Sequence, residues 1–217
     1  INPVCRRREW VNETFQDHLK DLERVLRKVM EKGMTLNLKK SVFVTDRLKF
    51  LGHYVTAEYV ESDPENVAAI LKLPPPSNLK TLRSLLGALN WHSAIIPSFA
   101  LVAEPLFQLL KVGKKWEWKE THQDALDVLK LLISQKVQLY HPDLTQPFIV
   151  ESDASQVGVG CVLYQEIENE KKVIAYASRT LRKHERHYSV IEIELLGIFW
   201  AFQKWHVYLK GPKCIVK

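Results

Sequence analysis

Between Phe148 and Tyr164 the chain reads as an apolar strand, a turn of small residues and a second strand that returns at once. Phe148-Ile149-Val150 begins it, Ser152-Asp153-Ala154-Ser155 turns it, and Val157-Gly158-Val159-Gly160-Cys161-Val162-Leu163-Tyr164 carries it back. A third strand is expected at Lys172 to Ala177, a long helix from Ser189 to about Tyr208, and a strand start at Lys213 to Lys217. This strand, strand, strand, helix, strand order predicts an α+β chain whose last part is a mixed sheet flanked by a long helix.

The pattern leaves Asp153 at a strand end, open to solvent and to a metal ion. The expected helix carries two acids, Glu192 and Glu194, in an otherwise mostly apolar run. A strand-end Asp facing a helix-borne Glu is one way to begin a magnesium site, because magnesium takes hard oxygen ligands. The same residues also suit a strand-capping Asp and two solvated helix acids, and local pattern alone leaves both readings open.

Upstream, Phe15, Leu19, Leu22, Val25, Leu26 and Val29 recur at helical spacing, which predicts a helix from Asn12 to Lys32 stopped by Gly33. Ser41 to Phe50 and Leu51 to Val60 read as two short strands, with a turn at Thr45-Asp46. Asp63-Pro64 then has the form of a helix start, the Asp capping and the Pro in the first position. Pro74-Pro75-Pro76 breaks the chain before two further helices, Leu79 to about Asn90 and Leu101 to Leu110. Trp116-Glu117-Trp118 leads into a helix from Glu120 to Gln135.

A formal charge of +6, spread along the chain rather than held in one tail, favours a long polyanionic partner such as a nucleic-acid duplex. The eight His and three Cys lack metal-ligand spacing, so no zinc is expected, and an odd Cys count argues against a disulfide framework. No apolar run reaches the roughly 20 residues of a membrane span, and no signal peptide is evident. The expected setting is intracellular, a cytoplasmic particle or the nucleus, neither secreted nor in a membrane.

Many short runs fall in the order found in one family. They include Leu36-Asn37-Leu38-Lys39-Lys40, Lys49-Phe50-Leu51-Gly52-His53-Tyr54-Val55, Leu82-Arg83-Ser84-Leu85-Leu86-Gly87 and Ile96-Pro97-Ser98-Phe99. Pro105-Leu106-Phe107-Gln108-Leu109-Leu110, Ser152-Asp153-Ala154-Ser155, Ile174-Ala175-Tyr176-Ala177-Ser178-Arg179 and Glu192-Ile193-Glu194-Leu195-Leu196 continue the series. Together they make the stretch from Lys39 to Gly211 resemble the Pol polyprotein of gypsy-class LTR retrotransposons, from the end of the reverse transcriptase into its RNase H domain.

The resemblance implies four parts: the end of a reverse transcriptase palm over 1–62, thumb-like helices over 63–112, a connecting segment over 113–146 and a partial RNase H-like domain over 147–217. It implies copying of RNA into DNA and two-metal hydrolysis of the RNA strand of RNA–DNA hybrids, with Mg2+ as cofactor. Asp153 and Glu194 match the catalytic, metal-binding carboxylates, with Glu192 as an outer neighbour. The third and fourth family carboxylates fall beyond Lys217, so the chain alone is expected to be weakly active or inactive. The paired polymerase acids align on Asn2 and Pro3, neither of which can be a carboxylate ligand. Gly52, His53 and Tyr54 match a hairpin that grips a primer end, Gly52 allowing close approach of a phosphate and the two aromatic rings contacting the strand. Lys80 and Arg83 are candidates for duplex phosphates. Implied partners are RNA–DNA hybrid, DNA or RNA duplex, and the remainder of the Pol polyprotein. The alternative is a decayed or co-opted module that binds nucleic acid or protein without catalysis.

Overall fold

A computed structural model describes residues 14–217. The expectations at Asn2 and Pro3, and the expected helix start at Asn12, fall outside them. Helix α1 (Phe15–Glu31) begins where the Thr14 hydroxyl accepts from the Asp17 amide, and Gly33 at φ +66 follows its end. None of its residues is buried.

The next stretch differs from the two strands expected. It forms three, β1 (Arg47–Phe50), β2 (His53–Thr56) and β3 (Tyr59–Ser62), paired antiparallel in sequence order. The hairpin turn lies at Leu51-Gly52, with φ of 48° and 78°, rather than at Thr45-Asp46. Two successive left-handed residues give a tight turn whose twist matches that of paired strands. Gly takes that conformation freely, whereas Leu51 takes it at a steric cost, so the turn is hidden from composition. A fourth strand, β4 (Gln138–Tyr140), joins β3 from the segment expected only to connect.

Helix α2 (Pro64–Leu71) starts as the sequence requires: the Asp63 carboxylate accepts from the Glu65 amide, and Pro64 takes the first position. Helix α3 (Leu79–Trp91) opens on a capping box between Asn78 and Thr81. The single helix expected over Leu101–Leu110 is two short ones, α4 (Phe99–Val102) and α5 (Glu104–Leu109). Pro105 explains the break, because its ring clashes with the carbonyl four residues back and it has no N–H to donate. Helix α6 (Glu120–Ser134) completes this unit, inserting Leu126 and Leu129 into the core formed by Leu82, Leu86, Leu89 and Leu106.

The C-terminal sheet runs β7-β6-β5-β8 and is mixed, as expected. Strands β5 (Phe148–Ala154), β6 (Gly158–Ile167) and β7 (Glu170–Thr180) are antiparallel neighbours, and β8 (Cys214–Val216) lies parallel to β5. Helix α7 (Val190–Lys204) covers one face, and a short helix α8 (His206–Leu209) follows a break at Trp205. Trp205, Phe148, Val150 and Leu163 form the core beneath it.

The other face receives α4 from the helical unit. The Ala100 amide donates to the Ser178 hydroxyl at 2.9 Å. Side chains at Gly158 and Gly160 would run into Leu101 and Ser98, so these glycines create the space that α4 fills. No helix among the described residues is long and apolar enough to cross a membrane.

Candidate nucleic-acid interface and carboxylate site

Two places hold the residues singled out by sequence. The first is where the β1–β2 hairpin meets α3. A Cβ on Gly52 would lie 2.9 Å from the Asn66 amide nitrogen and 3.3 Å from the Trp91 ring nitrogen. The space expected to admit a phosphate is therefore closed by the chain's own helices. His53 does not project into solvent as a stacking platform. Its ring packs on Trp91, centroids 6.2 Å apart and planes 13° from parallel, and it meets His92 edge-on at 5.7 Å. Tyr54 lies beneath the Arg47 guanidinium, 3.8 Å from the ring centroid. Arg47 in turn pairs with Glu61 at 2.5 Å.

The joint beneath is buried and polar. His92 is 2% exposed, and its Nδ1 lies 2.9 Å from the Ser62 hydroxyl. Burial lowers the His92 pKa from its ordinary 6.5 to about 4, and the neighbouring His53 pushes it the same way. His53 is lowered too, by burial. Asp63 is fully buried and ion-paired with Lys49 at 2.7 Å, an interaction that holds its carboxyl below the usual range.

Lys80 and Arg83 stand on the exposed side of α3 and have no ion pair with any described residue. They continue into Gly87 and Trp91, at successive spacings of three, four and four residues, which is one stripe of a helix. A Cβ on Gly87 would meet nothing, so the stripe has a bare, open stretch at its middle. Trp91 is 54% exposed at its end. Sequence reasoning passed over Trp91. The readable signal was a large aromatic residue eight positions after Arg83, on the polar rather than the Leu82–Leu86–Leu89 side.

The second place is the end of β5. Asp153 pairs across to Gly160, and Gly160 to Ser178, so these three share the face covered by α4. Ser152 pairs with Cys161, on the face covered by α7, where Gly197 sits against the Ser152 hydroxyl. Strand alternation thus sends Asp153 out on the side away from the helix that carries Glu194. The expected facing pair is not face to face. Both acids are exposed, and both lie toward the same end of the sheet, where Ile193 packs with Val159 and Ala154. Glu192 is used otherwise: its carboxylate accepts from the amide of Ser189, the N-cap of α7, at 2.7 Å and so completes a capping box.

Two carboxylates are the right donors for a hard divalent cation. As a ligand set they are incomplete, since no group of three His, Cys, Asp or Glu among the described residues could hold a metal ion.

Residues 118–216 match the RNase H-like domain found in reverse transcriptase. That span includes α6, which packs into the helical unit's core. The chain is 34% identical over 215 residues to the Pol polyprotein of transposon opus and 34% identical over 214 residues to that of transposon gypsy, both from Drosophila melanogaster. It is 31% identical to the transposon Tf2-3 polyprotein of Schizosaccharomyces pombe. These alignments cover 94%, 93% and 92% of this chain but only 21%, 20% and 15% of the relatives, so the chain spans about a fifth of their length or less. The foamy viral protease-reverse transcriptase in complex with RNA/DNA hybrid superposes with a TM-score of 0.80 at 27% identity, over 95% of this chain and 28% of that one. The same viral protein in complex with dsDNA gives 0.79 at 27% identity, over 95% and 43%. RNase H-like domains of this kind generally use divalent metals.

Proposed function

This chain is a reverse transcriptase/RNase H-like region of the retroelement Pol type, and from that premise we propose that it holds RNA–DNA hybrid or DNA duplex against α3. The observation that carries this reading is the Lys80–Arg83–Gly87–Trp91 stripe: two cations without ion-pair partners among the described residues, a bare glycine and a half-exposed indole on one rigid helix. Cations neutralise phosphates, and a flat aromatic beside them suits the sugar and base edges of a groove. The foamy viral relatives bound to dsDNA and to RNA/DNA hybrid support the same class of ligand. In this reading the β1–β2 hairpin acts through Trp91, which it braces with His53, more than by direct contact.

The division into palm end, thumb-like helices, connecting segment and RNase H-like domain is retained as part of the proposal. Asp153 and Glu194 are the residues that would hold a divalent ion, Mg2+ in the two-metal chemistry of such domains. In that chemistry one ion would activate water and the other would stabilise the leaving oxygen of a phosphodiester. The chain's own contribution is to set two carboxylates at one end of the sheet, Asp153 from a rigid strand and Glu194 one turn from the packed Gly197. The alternative reading is a decayed or co-opted module that binds nucleic acid or protein without catalysis.

Titration of a labelled RNA–DNA hybrid and a DNA duplex at rising salt tests the binding proposal. Affinity is expected to fall steeply with salt and to vary little with sequence. Absence of binding at low salt, or a flat salt response, overturns it. Cleavage of the hybrid in Mg2+, measured in parallel, separates the catalytic reading from the binding-only one.

A further inference from the structure

We propose that the loop from Lys111 to Trp118 is a second phosphate-contacting surface for duplex nucleic acid, separate from the α3 stripe. The inference rests on the duplex-binding reading above and extends it to a part of the surface that reading does not use.

Lys111, Lys114 and Lys115 are all exposed within five residues, and none pairs with an acid among the described residues. The loop's own acid, Glu117, is taken by Lys119 at 3.2 Å. Three like charges this close repel one another, so the loop stabilises no fold by their presence. The helix that precedes them accounts for one cation at most. Lys111 lies just past the C-terminal end of α5, where a positive charge is favourable, but Lys114 and Lys115 lie beyond the reach of that effect. Val112 is fully exposed and Gly113 turns the chain at φ +84, so the tip projects into solvent without packing on anything.

The base of the loop, in contrast, is fixed. Trp116 stacks on Trp118 with centroids 6.0 Å apart, and Trp118 lies 5.6 Å from the His122 ring. The Trp118 ring N–H donates to Gln123 at 3.2 Å, and the Lys119 amide donates to His122 Nδ1 at 2.9 Å. This aromatic ladder mounts the lysines on α6. A mounted cluster loses less freedom on binding than a free tail does. Salt limits each lysine to phosphates within about 8 Å at physiological ionic strength, so the cluster needs a partner with closely repeated charge. Duplex nucleic acid supplies one phosphate per about 1.7 Å of axis, and it is the ligand already proposed for the same helical unit.

The test uses the whole 217-residue chain. Lys111→Ser/Lys114→Ser/Lys115→Ser is compared with wild type and with Lys39→Ser/Lys40→Ser, two lysines elsewhere that are also exposed and have no ion pair among the described residues. Binding of a 20-base-pair duplex is measured from low to moderate salt, with unfolding curves as a control for the fold. Each phosphate that is no longer neutralised lowers the slope of log affinity against log salt by about 0.9. The loop variant should therefore lose about 2 to 3 from the slope, and at least tenfold in affinity at low salt, while the control variant stays near wild type. An unchanged slope in the loop variant overturns the inference, as does an equal loss per lysine in the control. Equal displacement of the duplex by polyglutamate at matched charge also overturns it, because the loop would then take any polyanion. If wild type binds and only Lys80→Ser/Arg83→Ser weakens binding, the loop inference alone fails. If wild type binds no duplex at all, both readings fall.

Discussion

Gly197 of α7 rests directly on Ser152 of β5, so closely that a Cβ on the glycine would run into the serine hydroxyl. Cys161 lies beside the contact, its Sγ 3.6 Å from the Ser152 hydroxyl and 3.6 Å from the Gly197 carbonyl. This approach sets the height of the helix above the sheet and, one turn earlier, the position of Glu194.

Gly197→Ala should therefore destabilise the domain even though Ala is the better helix former. Overpacking of this kind costs about 1 to 3 kcal/mol. Ser152→Ala removes the atom in the way, so the double variant should regain most of the loss in denaturant unfolding. Additive effects of the two changes would contradict the packing described.

Glu185 is 4% exposed and grips the Arg179 guanidinium through both oxygens, at 2.6 and 3.0 Å, while also accepting from the Arg182 amide. The Arg179 hydrogen bonds lead in lowering its pKa from 4.5 to about 2. A depressed carboxyl stabilises the fold above its unfolded pKa and loses that contribution as pH falls toward the folded value. Stability should drop between pH 4.5 and about 2, and Glu185→Gln should flatten the drop. Glu185→Ala should cost about 3 kcal/mol at neutral pH by leaving Arg179 unpaired.

His92 acts in a higher window. Its folded pKa of about 4 lies below the ordinary 6.5, so the unfolded chain binds the proton more readily. Its neutral form stabilises the fold above pH 6.5, and that stability is lost as pH falls from 6.5 toward about 4. His92→Gln keeps a partner for Ser62 and should reduce the pH slope of the unfolding free energy in this range, with His53 supplying part of what remains. An unaltered slope would mean that His92 is not held neutral by the fold.

Sequence reached those features whose causes are local. Asp63-Pro64 starts a helix because a carboxylate and a ring act on the next turn, and Phe148 to Tyr164 pairs because its turn is short. The three residues of β4 were not legible, since their partners in β3 lie some 80 positions earlier. The turn at Leu51-Gly52 hid behind a Leu in a conformation that composition does not suggest. Pro105 was a readable break within the helix expected over Leu101–Leu110. The face of Asp153 was also readable, because Phe148, Val150 and Ser152 alternate with it. Closure of Gly52 by Trp91 depends on tertiary packing and left no mark in the sequence.

The carboxylate proposal can be tested without turnover. Mn2+ added to labelled protein should broaden the amide signals around Asp153 and Glu194 together. Asp153→Asn should remove the effect at both places, and Glu192→Gln, which keeps its capping hydrogen bond, should leave it intact. Broadening confined to one of the two segments would show that they do not share an ion.

Whether α3 is the surface that holds nucleic acid is decided by the binding of RNA–DNA hybrid to Lys80→Ser/Arg83→Ser, across the same salt range as wild type. With two phosphates on α3 left without their cations, the salt slope should become shallower by roughly 1.5 to 2, and binding at low salt should weaken by about tenfold or more. The unfolding midpoint should stay where it was, since both side chains are exposed. Wild-type affinity and slope in this variant would contradict the claim that the chain holds nucleic acid on α3.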